Sequence, residues 1–107
     1  MSQAKATMVM TILDARVPES RWDDLRSAYG EATGGADGLE PGLISTFLVQ
    51  SASDREAWRI LTVWESRAAL DAMRAAGPPR GPMIFRSAGA EPALSIWEVA
   101  GHVDRPL

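Results

Sequence analysis

The chain has 107 residues, a formal net charge of −3, 46% hydrophobic and 23% charged residues, and no cysteine. That size fits one domain whose folding removes only roughly 60–70% of the chain's surface from water, and the composition is that of a globular protein. The acidic balance and scattered arginines exclude nucleic acid as a partner, the missing thiols exclude disulfides and thiolate chemistry, and no apolar run reaches the ~20 residues of a membrane span.

Residues 1–13 put one lysine ahead of an apolar run, as a signal peptide would. Thr7, Thr11 and Asp14 make residues 6–15 a first strand instead, and a cytoplasmic location is expected. Pro18-Glu19-Ser20 opens a helix, with Ser20 as the expected cap for the N–H of Asp23. Trp22, Leu25, Ala28, Tyr29 and Ala32 form its buried stripe, and it should end near Gly34-Gly35. Asp37-Gly38 and Pro41-Gly42 mark a turn-rich connection.

Residues 43–51 alternate Leu43, Ser45, Phe47 and Val49 against Ile44, Thr46, Leu48 and Gln50. Residues 57–65 place Trp58, Ile60, Thr62 and Trp64 on one face and Arg59, Leu61, Val63 and Glu65 on the other, so the two strands pair as an antiparallel hairpin. Ser66 caps a second helix with Ala69, Leu70, Met73 and Ala76 on its apolar face, and Gly77-Pro78-Pro79 stops it. Residues 80–92 read as a Gly/Pro-rich loop around Met83-Ile84-Phe85, residues 93–100 as a fourth strand and residues 102–107 as a tail. The whole of 1–107 is expected to be a single domain with its core in 6–101.

The order strand, helix, strand, strand, helix, strand predicts an α+β, ferredoxin-like βαββαβ fold with a four-stranded antiparallel sheet. Two helices cover one face of such a sheet. Bulky residues at both parities, such as Phe47 with Leu48 and Ile60 with Leu61, require the second face to be buried too. Sheet-to-sheet pairing of two copies satisfies that requirement and predicts a homodimer.

Pro41-Gly42 ahead of the second strand, then Val63-Trp64-Glu65-Ser66 followed by Ala68-Ala69-Leu70, resembles the antibiotic-biosynthesis-monooxygenase-like family. The resemblance spans most of the chain and implies a dimeric α+β barrel. It implies two activities: cofactor-free oxidation of phenolic, polyketide-derived substrates, and haem degradation. The haem degraders draw on an Asn and a His. This chain has no Asn, and residues 67–76 hold no His, so that route is not expected. The expected function is a cofactor-independent monooxygenase acting on a small phenol or hydroquinone. The alternative is a non-catalytic module of the same fold that binds a small apolar or aromatic molecule or dimerises.

Trp64 carries over from the family and is the candidate catalytic residue, stacking on a planar ring; packing alone is its other explanation. Thr62 shares its strand face and could line the same pocket, as Ser45 and Ser95 could from other strands. Tyr29, Trp22 and Arg86 are substrate-binding candidates by chemistry, Arg86 as a partner for a phenolate, while Trp58, Trp97 and Trp22 also suit core or dimer contacts. Arg59 and Glu65 are an expected ion pair, worth roughly 0–1 kcal/mol if exposed. His102, the only histidine, sits beside the tail, and no metal site or phosphate loop is expected. A pocket holding Trp64 beside a polar group favours the enzyme; a cleft filled by Trp64, Trp22 and Leu70 favours the module.

Overall fold

β-Branched and aromatic residues with period-two alternation form four strands, and apolar residues at helical spacing form the layer that covers them. The computed structural model describes residues 7–34 and 39–106. It places β1 (Val9–Arg16), β2 (Leu43–Gln50), β3 (Ala57–Trp64) and β4 (Ala93–Glu98) in one antiparallel sheet of order β2-β3-β1-β4. The helices α1 (Trp22–Ala32), α2 (Arg67–Ala75) and α3 (Arg80–Ser87) pack on one face. This is the expected ferredoxin-like α+β arrangement. The turn expected at Asp37-Gly38, the start of the first strand at Ala6 and the end of the first helix at Gly35 lie outside the described residues.

The segment 80–92, expected as a loop, is helical over Arg80–Ser87. Its first turn follows Pro79 and contains Pro82, which is tolerated there because the first N–H groups of a helix have no internal acceptor. Ile84 and Phe85 are buried, with Ala88 one turn on. Gly81 lets this turn approach β1, since a Cβ there would stand 2.8 Å from Leu13 Cδ1.

Three smaller expectations also change. A 3-10 turn, Glu19–Arg21, precedes α1, and Ser20 makes no capping bond. Arg59 pairs with Asp14, its cross-strand partner on β1, and not with Glu65. A bulge at Ile44 shifts the β2 register, so Leu43 shares the helix-facing side with Thr46 and Leu48. Ser66 does cap α2, accepting the Ala69 N–H at 3.1 Å, and the helix stops before Gly77-Pro78-Pro79.

The core on the helix side is two clusters. Leu13, Ala15, Trp58, Ile60, Ile84 and Phe85 join α1 and α3 to one end of the sheet. Val9, Trp64 and Leu70 join α2 to the other. In the first cluster Trp22 meets Trp58 edge-on at 5.9 Å and donates its Nε1–H to the Val17 carbonyl at 2.8 Å. The Trp58 Nε1–H is buried and has no hydrogen-bond partner among the described residues. The opposite face carries Met10, Ile12, Phe47, Leu61, Val63 and Trp97 and has no helical cover among the described residues, leaving Phe47 52% and Trp97 57% exposed.

Gly42 fixes how α2 meets the hairpin. Its φ is +84°, an added Cβ would lie 2.5 Å from Ala69 Cβ, and its carbonyl accepts the Glu65 N–H at 2.8 Å. Gly42→Ala is expected to destabilise the fold by about 1–3 kcal/mol, more than the about 1 kcal/mol lost with the Ser66 cap in Ser66→Ala. Urea unfolding of the two variants checks that order.

Candidate functional site

Where the two core clusters fail to meet, they leave a cavity of about 140 Å³ over the middle of the sheet. Leu13, Ile60 and Ile84 wall it from one cluster, and Trp64, Leu70 and Met73 from the other. Its mouth is formed by the end of α2 and the start of α3, with Arg74, Pro79 and Arg80, and by Glu40, which accepts an ion pair from Arg80 at 3.3 Å.

The sheet supplies a polar floor. Thr11 on β1 is the cross-strand partner of Thr62 on β3, and Thr62 is the partner of Thr46 on β2. The three threonines form a row perpendicular to the strands, between Ile60 and Trp64 along β3 and between Val9 and Leu13 along β1. Tyr29 Oη, reaching down from α1, donates to Thr46 Oγ1 at 3.2 Å, and the Thr46 and Thr62 hydroxyls lie 3.3 Å apart. Trp64 Nε1 donates to Thr11 Oγ1 at 3.3 Å. Thr62 is the polar residue buried in the core among the described residues; its hydroxyl is tolerated there because Thr46 gives it a hydrogen-bond partner.

Of the residues singled out in the sequence, Trp64, Thr62 and Tyr29 line this cavity together. Trp22 and Arg86 do not. Trp22 is turned toward Val17 and Trp58. Arg86, on the outer side of α3, grips Glu91 through three contacts, Nη2 to Oε1 at 2.8 Å, Nε to Oε2 at 3.1 Å and Nε to Oε1 at 3.3 Å. Ser95 accepts from Trp97 Nε1 at 2.9 Å on the uncovered face, where the register also puts Ser45. His102 contacts Asp104 at 3.2 Å, away from the cavity. Thr11 and Thr46 were missed: each is an ordinary strand threonine until the register sets it beside Thr62.

A family model for antibiotic biosynthesis monooxygenases matches residues 8–78. The chain belongs to the antibiotic biosynthesis monooxygenase family. Solved structures similar to this family member include a haem-degrading protein of Mycobacterium tuberculosis, 27% identical, with a TM-score of 0.70 over 94% of this chain and 99% of the other. SnoaB, a cofactor-independent oxygenase of Streptomyces nogalater, is 13% identical with a TM-score of 0.69 over 94% and 100%. A conserved protein of Methanosarcina mazei is 16% identical with a TM-score of 0.67 over 85% and 91%. No curated protein matches the chain. Among the described residues no cluster of His, Cys, Asp and Glu could hold a metal ion, and no helix is long and apolar enough to cross a membrane.

The hydrogen bonds from Arg86 hold the Glu91 carboxyl below the usual carboxylate range. A depressed folded-state pKa stabilises above the unfolded value, and that contribution is lost as pH falls through the folded one. In a carbon-detected NMR titration the Glu91 midpoint is expected below that of a free glutamate and to return toward it in Arg86→Gln. Ligand in the cavity should leave the Glu91 midpoint unmoved, because Arg86 stays outside.

Proposed function

We propose that this family member is a cofactor-independent monooxygenase acting on a small phenol or hydroquinone bound in the cavity between the two core clusters. The observation that carries this is Trp64 walling an apolar cavity whose floor is a row of hydrogen-bonded hydroxyls, Thr62 buried and Thr11 and Thr46 half-buried. An electron-rich phenolate can itself pass electrons to oxygen, so the protein's task is to orient the ring and keep water out. Leu13, Ile60, Leu70 and Met73 provide the dry walls, the indole of Trp64 positions the ring, and Thr62 meets its oxygen. One atom of O₂ becomes a new ring carbonyl and the other leaves as water, with the substrate supplying every electron.

The cavity of about 140 Å³ is close to the roughly 150 Å³ that an engineered apolar cavity offers to benzene. It therefore suits a single ring. Haem does not fit: the cavity is too small for the macrocycle, no histidine lines it, and Tyr29 and the threonines are its polar groups besides the rim charges. Haem degradation, the activity of the 27% identical mycobacterial protein, is thus not carried over. The shortage of bases in the cavity, where Glu40 is tied to Arg80, favours a second reading as a binding module.

Metal-free protein is expected to consume oxygen above a no-protein blank with one-ring hydroquinones, less with dihydroxynaphthalenes and least with anthrones. Trp64→Phe should lower the rate by about tenfold or more through misplacement of the ring, with unchanged circular dichroism. Inactivity across the panel by a folded protein leaves the binding module.

The uncovered sheet face supports a homodimer. Phe47, Leu61, Val63 and Trp97 form an apolar surface that a second copy would bury, as most soluble oligomers do around a two-fold axis. Leu61 lies in its middle, with Ile12 and Phe47 as cross-strand partners. Light scattering after size exclusion should give a dimer for the native chain and a monomer for Leu61→Arg. A native monomer at micromolar concentration would remove the dimer from the proposal.

A further inference from the structure

The hydrogen bonds within the threonine row leave two of its hydroxyl protons without an acceptor. Tyr29 spends its hydroxyl proton on Thr46, and the single contact between Thr46 and Thr62 uses one of their two protons, so one is left. Thr11 accepts from Trp64 Nε1, which leaves the Thr11 proton without an acceptor as well. One proton of the Thr46–Thr62 pair and the proton of Thr11 thus have no acceptor among the described residues, in a cavity whose carboxylate, Glu40, is engaged at the rim by Arg80.

We propose that this row is a docking point for an acceptor-only oxygen on a planar, one-ring ligand, either a phenolate or a quinone carbonyl. With Thr46 donating to Thr62, one of the two directions their contact allows, Thr11 and Thr62 are its donors. Thr46 and Tyr29 are positioning residues, because their hydrogen bonds orient and polarise the Thr62 hydroxyl. A neutral phenol would accept ordinary hydrogen bonds here, whereas a phenolate oxygen accepts charge-assisted ones that are roughly twice as strong. Hydrogen bonds to the charged form stabilise it, so the site draws the bound phenol toward its anion without a general base. Trp64 gains a second role, since its N–H occupies a lone pair of Thr11 and leaves that hydroxyl to donate.

The inference rests on the reading that the cavity accepts a phenolic ring, and is independent of turnover. The probe is 4-nitrophenol, titrated by absorbance with excess full-length protein, with 4-nitroanisole as the ether that cannot ionise. The bound phenol's apparent pKa is expected to fall by about one unit, and nitroanisole to bind more weakly than the phenolate. Thr11→Val and Thr62→Val, which keep shape and remove the hydroxyl, should each weaken phenolate binding by about tenfold. Thr62→Ser should restore most of it, and Tyr29→Phe should shift the pKa partway back. Competition by 2,6-dimethylbenzoquinone would extend the site to carbonyls, and its failure would assign the site to phenolates alone.

An unshifted pKa, or valine variants that bind phenolate as well as the native protein, would overturn the proposal. A shifted, valine-sensitive pKa in a protein that consumes no oxygen would keep the docking point and replace the enzyme by the binding module. Oxygen consumption with an unshifted pKa would keep the enzyme and discard the docking point.

Discussion

The three-strand alignment of Thr11, Thr62 and Thr46 is the constraint around which the helix side of this sheet is organised. Each threonine lies on the helix-facing side of its strand, Thr62 buried and Thr11 and Thr46 half-buried, and a hydroxyl buried against aliphatic carbon costs about 1–3 kcal/mol unless it is bonded. Register removes most of that cost by setting the hydroxyls beside one another, and Tyr29 and Trp64 bring in further partners from above the sheet. Apolar side chains gain nothing by closing over such a row. The core therefore condenses on either side of it, around Phe85 at one end and Leu70 at the other, and the space between persists as a cavity.

The helical layer is built to match. Gly77-Pro78-Pro79 ends α2 after nine residues, before it can extend over the middle of the sheet. The chain resumes as α3 only at Arg80, and Ile84 and Phe85 anchor that helix in the other cluster. The interruption that looks like a simple helix stop is thus also the mouth of the cavity. At the other edge, Gly42 allows α2 to lie close against the hairpin, and the bulge at Ile44 turns Leu43 inward beside Trp64.

Much of this architecture is legible in the sequence because it depends on local pattern. The alternation Trp58, Ile60, Thr62, Trp64 identifies a buried face directly, and Ser66 followed by an alanine-rich run identifies the start of α2. The helix α3 is hidden because Gly81 and Pro82 are read as breakers, although a proline in the first turn breaks nothing. Ile84, Phe85 and Ala88 already have helical spacing, which is the signal that would have found it. Thr11 and Thr46 are hidden for a different reason. Their significance is a cross-strand register, set by the bulge at Ile44 and the pairing of β1 with β3, and no window along one strand contains it. Chemical type alone points to Trp22 and Arg86, and the partners that occupy them, Val17 and Glu91, are equally invisible to local pattern.

The strand β3 links the two faces of the sheet. Thr62 and Trp64 point into the cavity, while Leu61 and Val63, alternating with them, belong to the uncovered apolar surface. In the proposed dimer, burial of Leu61 and Val63 would restrict the same backbone that holds the threonine row in register. Hydrogen bonds of 3.2–3.3 Å such as those of Thr46 and Thr11 lie at the long end of the useful range and gain most from a stiffer frame. A ligand oxygen seated between Thr11 and Thr62 would in turn tie β1 to β3 at their centre. Interface and site would then reinforce each other through one strand, without any residue of the interface reaching the ligand.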